Sequence, residues 1–173
     1  MSESMVSATN QDGLLEITDG ARSYWLDLEP GDFAYQVGKG EPVVNLTRGR
    51  VAPLAGGAPD MRKGDEAPCT GTFTARLRSL YSTTEATLVD LIEWMASDDA
   101  ADSYVAANWS STHPYTDERT ITLKYHLSGV YRGVPDQTLV FDYTALRSAG
   151  VSEGNPSTVS VAFTAGIVKP TQE

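Results

Sequence analysis

The segment STTEATLVDLIEWMAS, residues 82–97, is the clearest helical pattern in a chain of 173 residues. Its large apolar residues recur at the spacing of one helical face. They are Leu88, Leu91, Ile92 and Met95. Ser82 followed three residues later by Glu85 has the spacing of a capping box, which predicts that the helix begins at residue 82.

The two sides of this helix have different expected environments. Asp90 and Glu93 fall opposite the apolar stripe, and Trp94 falls on its shoulder. A helix with one apolar stripe must bury that stripe against another element, and the rest of the chain offers β-strands. We therefore expect a sheet packed beside a single helix.

Apolar and polar residues alternate in several short segments on both sides of the helix, as in strands with one buried face. These segments are 13–18, 24–29, 33–37, 43–48, 70–81, 120–132, 138–144 and 159–167. Pairs such as Asp19-Gly20 and Pro30-Gly31 predict turns between them. The pattern predicts a mainly β protein: an antiparallel β-sandwich or barrel with one flanking α-helix.

The chain is expected to form one domain with a flexible start. Residues 1–12 are small and polar, so we expect a flexible N-terminal segment followed by a single β-sandwich domain at 13–173. Within it, GRVAPLAGGAPDMRKGDEAP at 49–68 is rich in Gly, Pro and charge. A loop beyond about 15 residues is either functional or disordered, and the sequence leaves both open.

Composition excludes several classes of protein. The net charge is −10, the wrong sign for a protein that grips phosphates. This acidity serves solubility or repels polyanions, and composition does not choose between them. No apolar run approaches the roughly 20 residues of a membrane span. No signal-peptide pattern begins the chain, and the single cysteine, Cys69, has no internal disulfide partner, so we expect a cytoplasmic origin.

No catalytic or metal-binding pattern stands out. His113 and His126, the two histidines, lack the spacing of a zinc site, and no nucleophile motif surrounds Cys69. The acidic run at 98–102 lacks the alternating ligands of a calcium loop. We therefore predict no enzyme activity, no cofactor and no resident metal.

The order of these elements resembles the tail tube proteins of long-tailed bacteriophages and related phage-like particles. In that family, short N-terminal strands precede a long loop rich in Gly and charge, here 49–68. A strand, here TGTFTARLRSLY at 70–81, then leads directly into one flanking helix, and antiparallel strands follow. The resemblance covers nearly all of the chain after residue 13.

The resemblance implies a structural role in the virion tail, with assembly in the host cytoplasm. Subunits of this family form hexameric rings that share an inner β-barrel, and the rings stack into a tube that conducts double-stranded DNA during ejection without sequence-specific binding. It further implies tape-measure, tail-terminator and baseplate or tip proteins as partners. An acidic lumen would let the duplex slide.

On this reading, charged residues in and beside the long loop are candidates for contacts between subunits or stacked rings, together with the helix tryptophan. They are Arg48, Arg50, Asp60, Arg62, Lys63, Asp65, Glu66 and Trp94. Two alternatives stay open: another phage β-domain, such as a head-completion or decoration protein, and a small-ligand-binding β-barrel or an enzyme with an unrecognised site.

Overall fold

The computed structural model describes residues 13–26, 28–38, 40, 43–44, 46–47, 50–51, 61–62, 65–96, 103–112, 118–127 and 135–173. These form twelve strands and two helices. The strands are β1 (Gly13–Thr18), β2 (Ser23–Leu26), β3 (Leu28–Gln36), β4 (Val43–Val44), β5 (Leu46–Thr47), β6 (Arg50–Val51), β7 (Met61–Arg62), β8 (Cys69–Arg76), β9 (Ile121–Leu127), β10 (Gln137–Ser152), β11 (Thr158–Ala165) and β12 (Thr171–Gln172). The helices are α1 (Leu88–Ala96) and α2 (Tyr104–Asn108).

Eight of the strands form one antiparallel sheet in the order β2-β1-β9-β10-β11-β8-β3, with β12 added against β10. The long strand β10 belongs to both halves of this sheet. Its first half pairs with β9 and β12, and its second half pairs with β11. We call the half containing β2, β1, β9, β12 and the start of β10 sheet I. The half containing the end of β10, β11, β8 and β3 is sheet II.

β10 bends where it passes from one half to the other. Its pairing register shifts between Phe141 and Thr144 and again between Leu146 and Ser148. Tyr143 lies within the first of these shifts and has a φ of 53°. The Thr144 hydroxyl donates to the Phe141 carbonyl at 2.8 Å. Such bulges bend a strand sharply, and this bend turns the two halves toward each other.

The two sheets enclose a shared core. Phe33 of β3 stacks on Tyr125 of β9 with ring centroids 4.5 Å apart, which ties the far strands of the two halves together. The buried strand residues are mostly odd-numbered, as alternation requires: Leu15, Ile17, Phe73, Ala75, Ile121, Leu123, Phe141, Val159, Val161, Phe163 and Ala165. The predicted fold class, a mainly β antiparallel sandwich with a flanking helix, is confirmed.

Helix α1 begins six residues later than predicted. The Asp90 N–H donates to Thr87 Oγ1 at 3.2 Å, so Thr87 caps the helix, which starts at Leu88. Ser82 Oγ does accept from the Glu85 N–H at 3.3 Å, but this bond closes only a local turn. Ser82 and Thr87 both offer a capping oxygen, and the helix uses the one next to its apolar run.

The buried face of α1 is also rotated from the prediction. Leu88, Leu91, Trp94 and Asp90 are buried, whereas Ile92 and Met95 are only partly buried. The reason is that α2, and the chain leading into β9, cover the side that was expected to be free. None of the helices in the described ranges is long and apolar enough to cross a membrane.

Candidate assembly surfaces

The outer face of sheet II, opposite the core, consists of small and hydroxyl-bearing side chains. Strand register places them in rows across β3, β8, β11 and the end of β10. We call this set the hydroxyl face: Ala34, Gln36, Thr70, Thr72, Thr74, Ser148, Gly150, Ser160, Ala162 and Thr164. None of these residues carries a charge, and Thr74 and Ser160 share a hydrogen bond of 3.1 Å between their hydroxyls.

Charged groups border the hydroxyl face, and one of them, Arg147, also lines a groove on it. Arg76 lies at one end, opposite Thr158, and Arg147 lies at the bulge of β10, where it forms an ion pair with Glu118. Asp32 lies in the irregular part of β3, where its pairing with β8 shifts register. A shallow groove of about 450 Å³ runs over the face beside Arg147. The residues of the face itself are therefore uncharged, and among the described residues Arg147 is the one charged residue that lines this groove.

Sheet II has two strand edges without a neighbouring strand among the described residues. β3 pairs with β8 on one side only, and the end of β10 pairs with β11 on one side only. At Leu146 the backbone N–H of β10 donates to Met95 Sδ of α1 at 3.4 Å, so the helix covers the edge there. Beyond that point, residues 147–152 of β10 are exposed. Free edges of this kind readily pair with another chain.

Apolar side chains stand uncovered at both edges. Val151 of β10 lies opposite the fully buried Val159 and yet is 58% exposed. At the other edge, Tyr35 is 41% exposed and Val37, just past β3, is 43% exposed. The inner layer of the sandwich thus continues to both edges, where this single subunit leaves it uncovered.

The outer face of sheet I is different, because it carries a polar network. His126 Nε2 lies 2.9 Å from Glu16 Oε2, and Nδ1 lies 3.1 Å from the Thr138 hydroxyl. Ser23 donates to the other oxygen of the same carboxylate, and the Trp25 ring lies over His126 with centroids 5.1 Å apart. The network holds a nearly buried glutamate on the outside of the sheet.

This network has the connectivity of a catalytic triad but lacks the rest of a catalytic site. A hydroxyl, an imidazole and a carboxylate lie in line, yet acyl transfer also needs N–H donors aimed at a developing oxyanion. Here the Thr138 N–H donates to the Glu173 carbonyl at 3.0 Å. Among the described residues, no three His, Cys, Asp or Glu side chains are grouped to hold a metal ion. Sequence alone gave no signal for the network, since it depends on the register of β1 against β9.

Aromatic rings pack together in the core between the sheets. The rings of Phe33, Phe73, Phe141 and Phe163 lie within 6.3 Å of at least one other ring of this set. A groove of about 360 Å³ lies at the margin of this core, where Tyr125 and Leu139, which pack against the core, help to line it. Cys69 is fully buried, and burial raises the pKa of its thiol.

The predicted contact residues of the loop at 49–68 do not form one cluster in the described part of the chain. Arg48, Asp60 and Lys63 lie outside the described residues. Arg50 lies in β6 and Arg62 in β7, and these short strands pair with β5 and β4. Asp65 and Glu66 are exposed just before β8. Part of a segment predicted to be a long loop is therefore paired into two short antiparallel ladders.

The base of this segment is held by close backbone contact. The Ala67 N–H donates to the Gly38 carbonyl at 3.1 Å, and the Gly38 N–H donates to the Val168 carbonyl at 2.8 Å. A Cβ on Gly38 would lie 1.8 Å from the Ala67 oxygen, and one on Gly40 would lie 1.8 Å from the Asp65 oxygen. Only glycine fits at either position, so the chain just after β3 is held against the C-terminal end of the loop.

Trp94, the predicted contact residue of the helix, lies in the core of this single chain. Trp94 is 4% exposed and belongs to the core cluster. The Arg119 guanidinium lies 5.3 Å from its ring centroid and donates to its backbone carbonyl at 2.5 Å. The chain segment before β9 covers the side of α1 on which Trp94 lies, and helical periodicity alone cannot show such a cover.

Comparison with known proteins identifies the fold. No protein-family model matches the chain, and no curated protein matches it significantly. Among solved structures, it matches a chain of the PVC sheath/tube terminator of an extracellular contractile injection system, in the extended state. The TM-score is 0.54 and the identity 7%, covering 99% of both chains.

A chain of the anti-feeding prophage baseplate matches with a TM-score of 0.51 and 8% identity, covering 100% of this chain and 97% of that chain. A chain of the SPP1 tail tube matches with a TM-score of 0.49 and 10% identity, covering 96% of this chain and 79% of that chain. The fold is thus one found in contractile injection systems, which agrees with the predicted resemblance to tail tube proteins.

Proposed function

We propose that this protein is a structural subunit of a phage-type tail tube, and not an enzyme. It assembles as hexameric rings that stack into a conduit for DNA ejection. The first support is the fold, which spans the full length of chains from a sheath/tube terminator structure and a baseplate structure. The other supports come from the edges of sheet II and from the loop at 49–68.

The observation that carries the proposal is the pair of free edges on sheet II. Four antiparallel strands alternate in direction, so β3 at one edge runs opposite to β10 at the other. Copies placed side by side in the same orientation therefore bring β3 of one subunit antiparallel to β10 of the next. Such a head-to-tail interface repeats from subunit to subunit, and it closes into a ring when six repeats complete one full rotation. Pairing would also cover Val151, Tyr35 and Val37, which the single subunit leaves exposed.

The loop at 49–68 is proposed to join stacked rings. Its C-terminal end is held against the sandwich by the contact between Ala67 and Gly38. Its charged side chains are Arg50, Asp60, Arg62, Lys63, Asp65 and Glu66, and with Arg48 just before them they remain the proposed contact residues. Other partners in this role are tape-measure, tail-terminator and baseplate or tip proteins, in a virion tail assembled in the host cytoplasm.

Edge pairing is tested by Val151→Lys, which places a charge on the free edge of β10. The side chain is exposed, so the variant should fold like the parent, within about 0.5 kcal/mol. Electron microscopy and light scattering should show rings or tubes for the parent and monomers for the variant. Leu14→Lys is the matched control, because Leu14 is 38% exposed on the outer face of sheet I. Rings with Val151→Lys, or a parent that stays monomeric at high concentration, would contradict the proposal.

The stacking role of the loop is tested by deleting residues 56–63. The deletion leaves the base of the loop and sheet II intact, so rings should form as in the parent while tubes do not. Negative-stain microscopy separates the two assemblies directly. Tubes of normal length from the deletion variant would overturn the role of the loop without affecting the ring.

A further inference from the structure

The position of sheet II in a closed ring decides which of its faces points to the axis of the ring. The inference about this face rests on the proposed ring. Sheet I and both helices lie on the core side of sheet II. Strands lie about 4.8 Å apart, so six four-stranded sheets give a cylinder of roughly 24 strands and about 37 Å across. Six second sheets, each about 10 Å further in, do not fit inside such a cylinder.

The core side of sheet II therefore points outward, and the hydroxyl face points to the axis. We infer that the hydroxyl face is the wall of the channel and that this wall carries no charge of its own, because Arg147 at its border is paired with Glu118. None of the described acidic residues belongs to the hydroxyl face, although Asp32 lies beside it in β3. Glu16 and Asp142 lie on sheet I, and Glu85 and Glu93 lie in or before α1.

An uncharged wall acts on a passing duplex differently from the acidic lumen expected from composition. Lysine or arginine on the wall would exchange with phosphate counterions and hold the duplex in a salt-dependent way. Carboxylates would raise the energy of each phosphate that enters. Threonine and serine hydroxyls do neither, because they exchange hydrogen bonds with water. The duplex then moves past the wall without a charge-dependent barrier or trap.

The chain is well suited to a test by cysteine labelling. Its only cysteine, Cys69, is fully buried, so the folded parent should react slowly with thiol reagents. Thr72→Cys places one accessible thiol at the centre of the hydroxyl face. Leu14→Cys, on the outer face of sheet I, is the matched control. Thr74→Cys on the same strand replaces Thr72→Cys should that variant fail to fold.

The first measurement locates the face. A maleimide carrying a long polyethylene glycol chain should label Thr72→Cys at least about tenfold more slowly in tubes than in dissociated subunits. Leu14→Cys should react at similar rates in both states. Equal rates at Thr72→Cys in tubes seen by microscopy would place the hydroxyl face outside the channel and overturn this inference, while the tube itself stands. If no tubes form at all, the proposed function fails first and this inference fails with it.

The second measurement tests the charge of the wall. Small cationic and anionic methanethiosulfonates are compared on Thr72→Cys tubes, with free mercaptoethanol as the reference thiol. A neutral wall should keep the ratio of their rates within about threefold of the reference, because potentials of several kT would shift it far more. A cationic preference of about tenfold or greater would show an acidic wall and overturn the inference.

Discussion

Sheets I and II share one core but present different outer surfaces. On sheet I, Glu16 and His126 form a hydrogen-bonded network beneath an exposed Trp25. On sheet II, the corresponding positions are threonine, serine and alanine, without a charge at the centre of the face. The inner residues of both sheets are set by packing, whereas each outer face is free to suit what it meets. The difference indicates that the two outer faces meet different surroundings.

The largest expected effect separates the inner and outer faces of sheet II. Phe163→Ala removes a ring that is 1% exposed and contacts other aromatic rings, so it should cost about 3–5 kcal/mol in the free energy of unfolding. The neighbouring Ala162→Ser lies on the hydroxyl face and should change it by no more than about 0.5 kcal/mol. Urea denaturation measures both. Similar losses would mean that both faces of β11 are buried.

The next effect tests how tightly sheet II packs at one point. A Cβ on Gly71 would lie 2.4 Å from Cζ of Phe163, which is its partner across the strands. Gly71→Ala should therefore overpack the core and cost about 1–3 kcal/mol. Gly150→Ala, on the outer face where nothing lies within 4 Å, should be neutral or slightly stabilising in the same thermal melts. A neutral Gly71→Ala would show that the Phe163 ring can move aside.

A smaller effect compares the two outer faces directly. His126→Ala leaves the nearly buried Glu16 carboxylate with one fewer partner and should cost about 1–2 kcal/mol. Thr74→Ala removes an exposed hydroxyl pair on sheet II and should cost less than about 0.5 kcal/mol. Chemical denaturation at neutral pH distinguishes them. Equal losses in the free energy of unfolding would mean that the polar network on sheet I stabilises the protein no more than the hydroxyl pair on sheet II.

The smallest effect concerns the helix that covers the β10 edge. Burial raises the pKa of Asp90, and the nearby Glu93 charge adds to this, while hydrogen bonds with Thr87 and the Ser82 backbone lower it. A raised pKa means that the folded state binds the proton more tightly than the unfolded chain does. Ionised Asp90 therefore costs stability above its raised pKa, and this cost disappears as the pH falls through that value.

Asp90→Asn should accordingly raise the melting temperature at neutral pH. The corresponding gain in the free energy of unfolding should be less than about 1 kcal/mol. The advantage over the parent should shrink as the pH approaches the ordinary aspartate value of 3.8. Thermal melts at several pH values measure this difference. An advantage that stays constant with pH would mean that the ionisation of Asp90 is not its cause.

Much of the fold follows from local pattern. Alternation identified the strands that hold Leu15, Phe73, Leu123 and Phe163, because a half-buried strand must alternate. The length of β10 was underestimated, since the bulges beside Tyr143 interrupt its alternation and its last residues face an uncovered edge. The order of strands in the sheet depends on contacts distant in sequence, which no local pattern contains.

The candidate surfaces were harder to predict. Trp94 lies on a helical shoulder that looks free until the segment before β9 covers it. The hydroxyl face requires the register of four strands, because a slip of one residue would exchange it with the core. The buried face of α1 was also mispredicted because it depends on contacts distant in sequence. Asp90 is polar, but its hydrogen bonds allow it to be buried.

The passage of β10 through both sheets has a mechanical consequence. Two stacked layers that can slide bend as two thin plates, whereas layers joined so that they cannot slide bend as one thick plate. Here a single covalent strand joins the layers at Phe141–Thr144, and the packed aromatic rings between them resist shear. The wall of a cylinder built from such subunits would consist of two joined sheets. It would resist bending more strongly than two separate sheets of the same thickness.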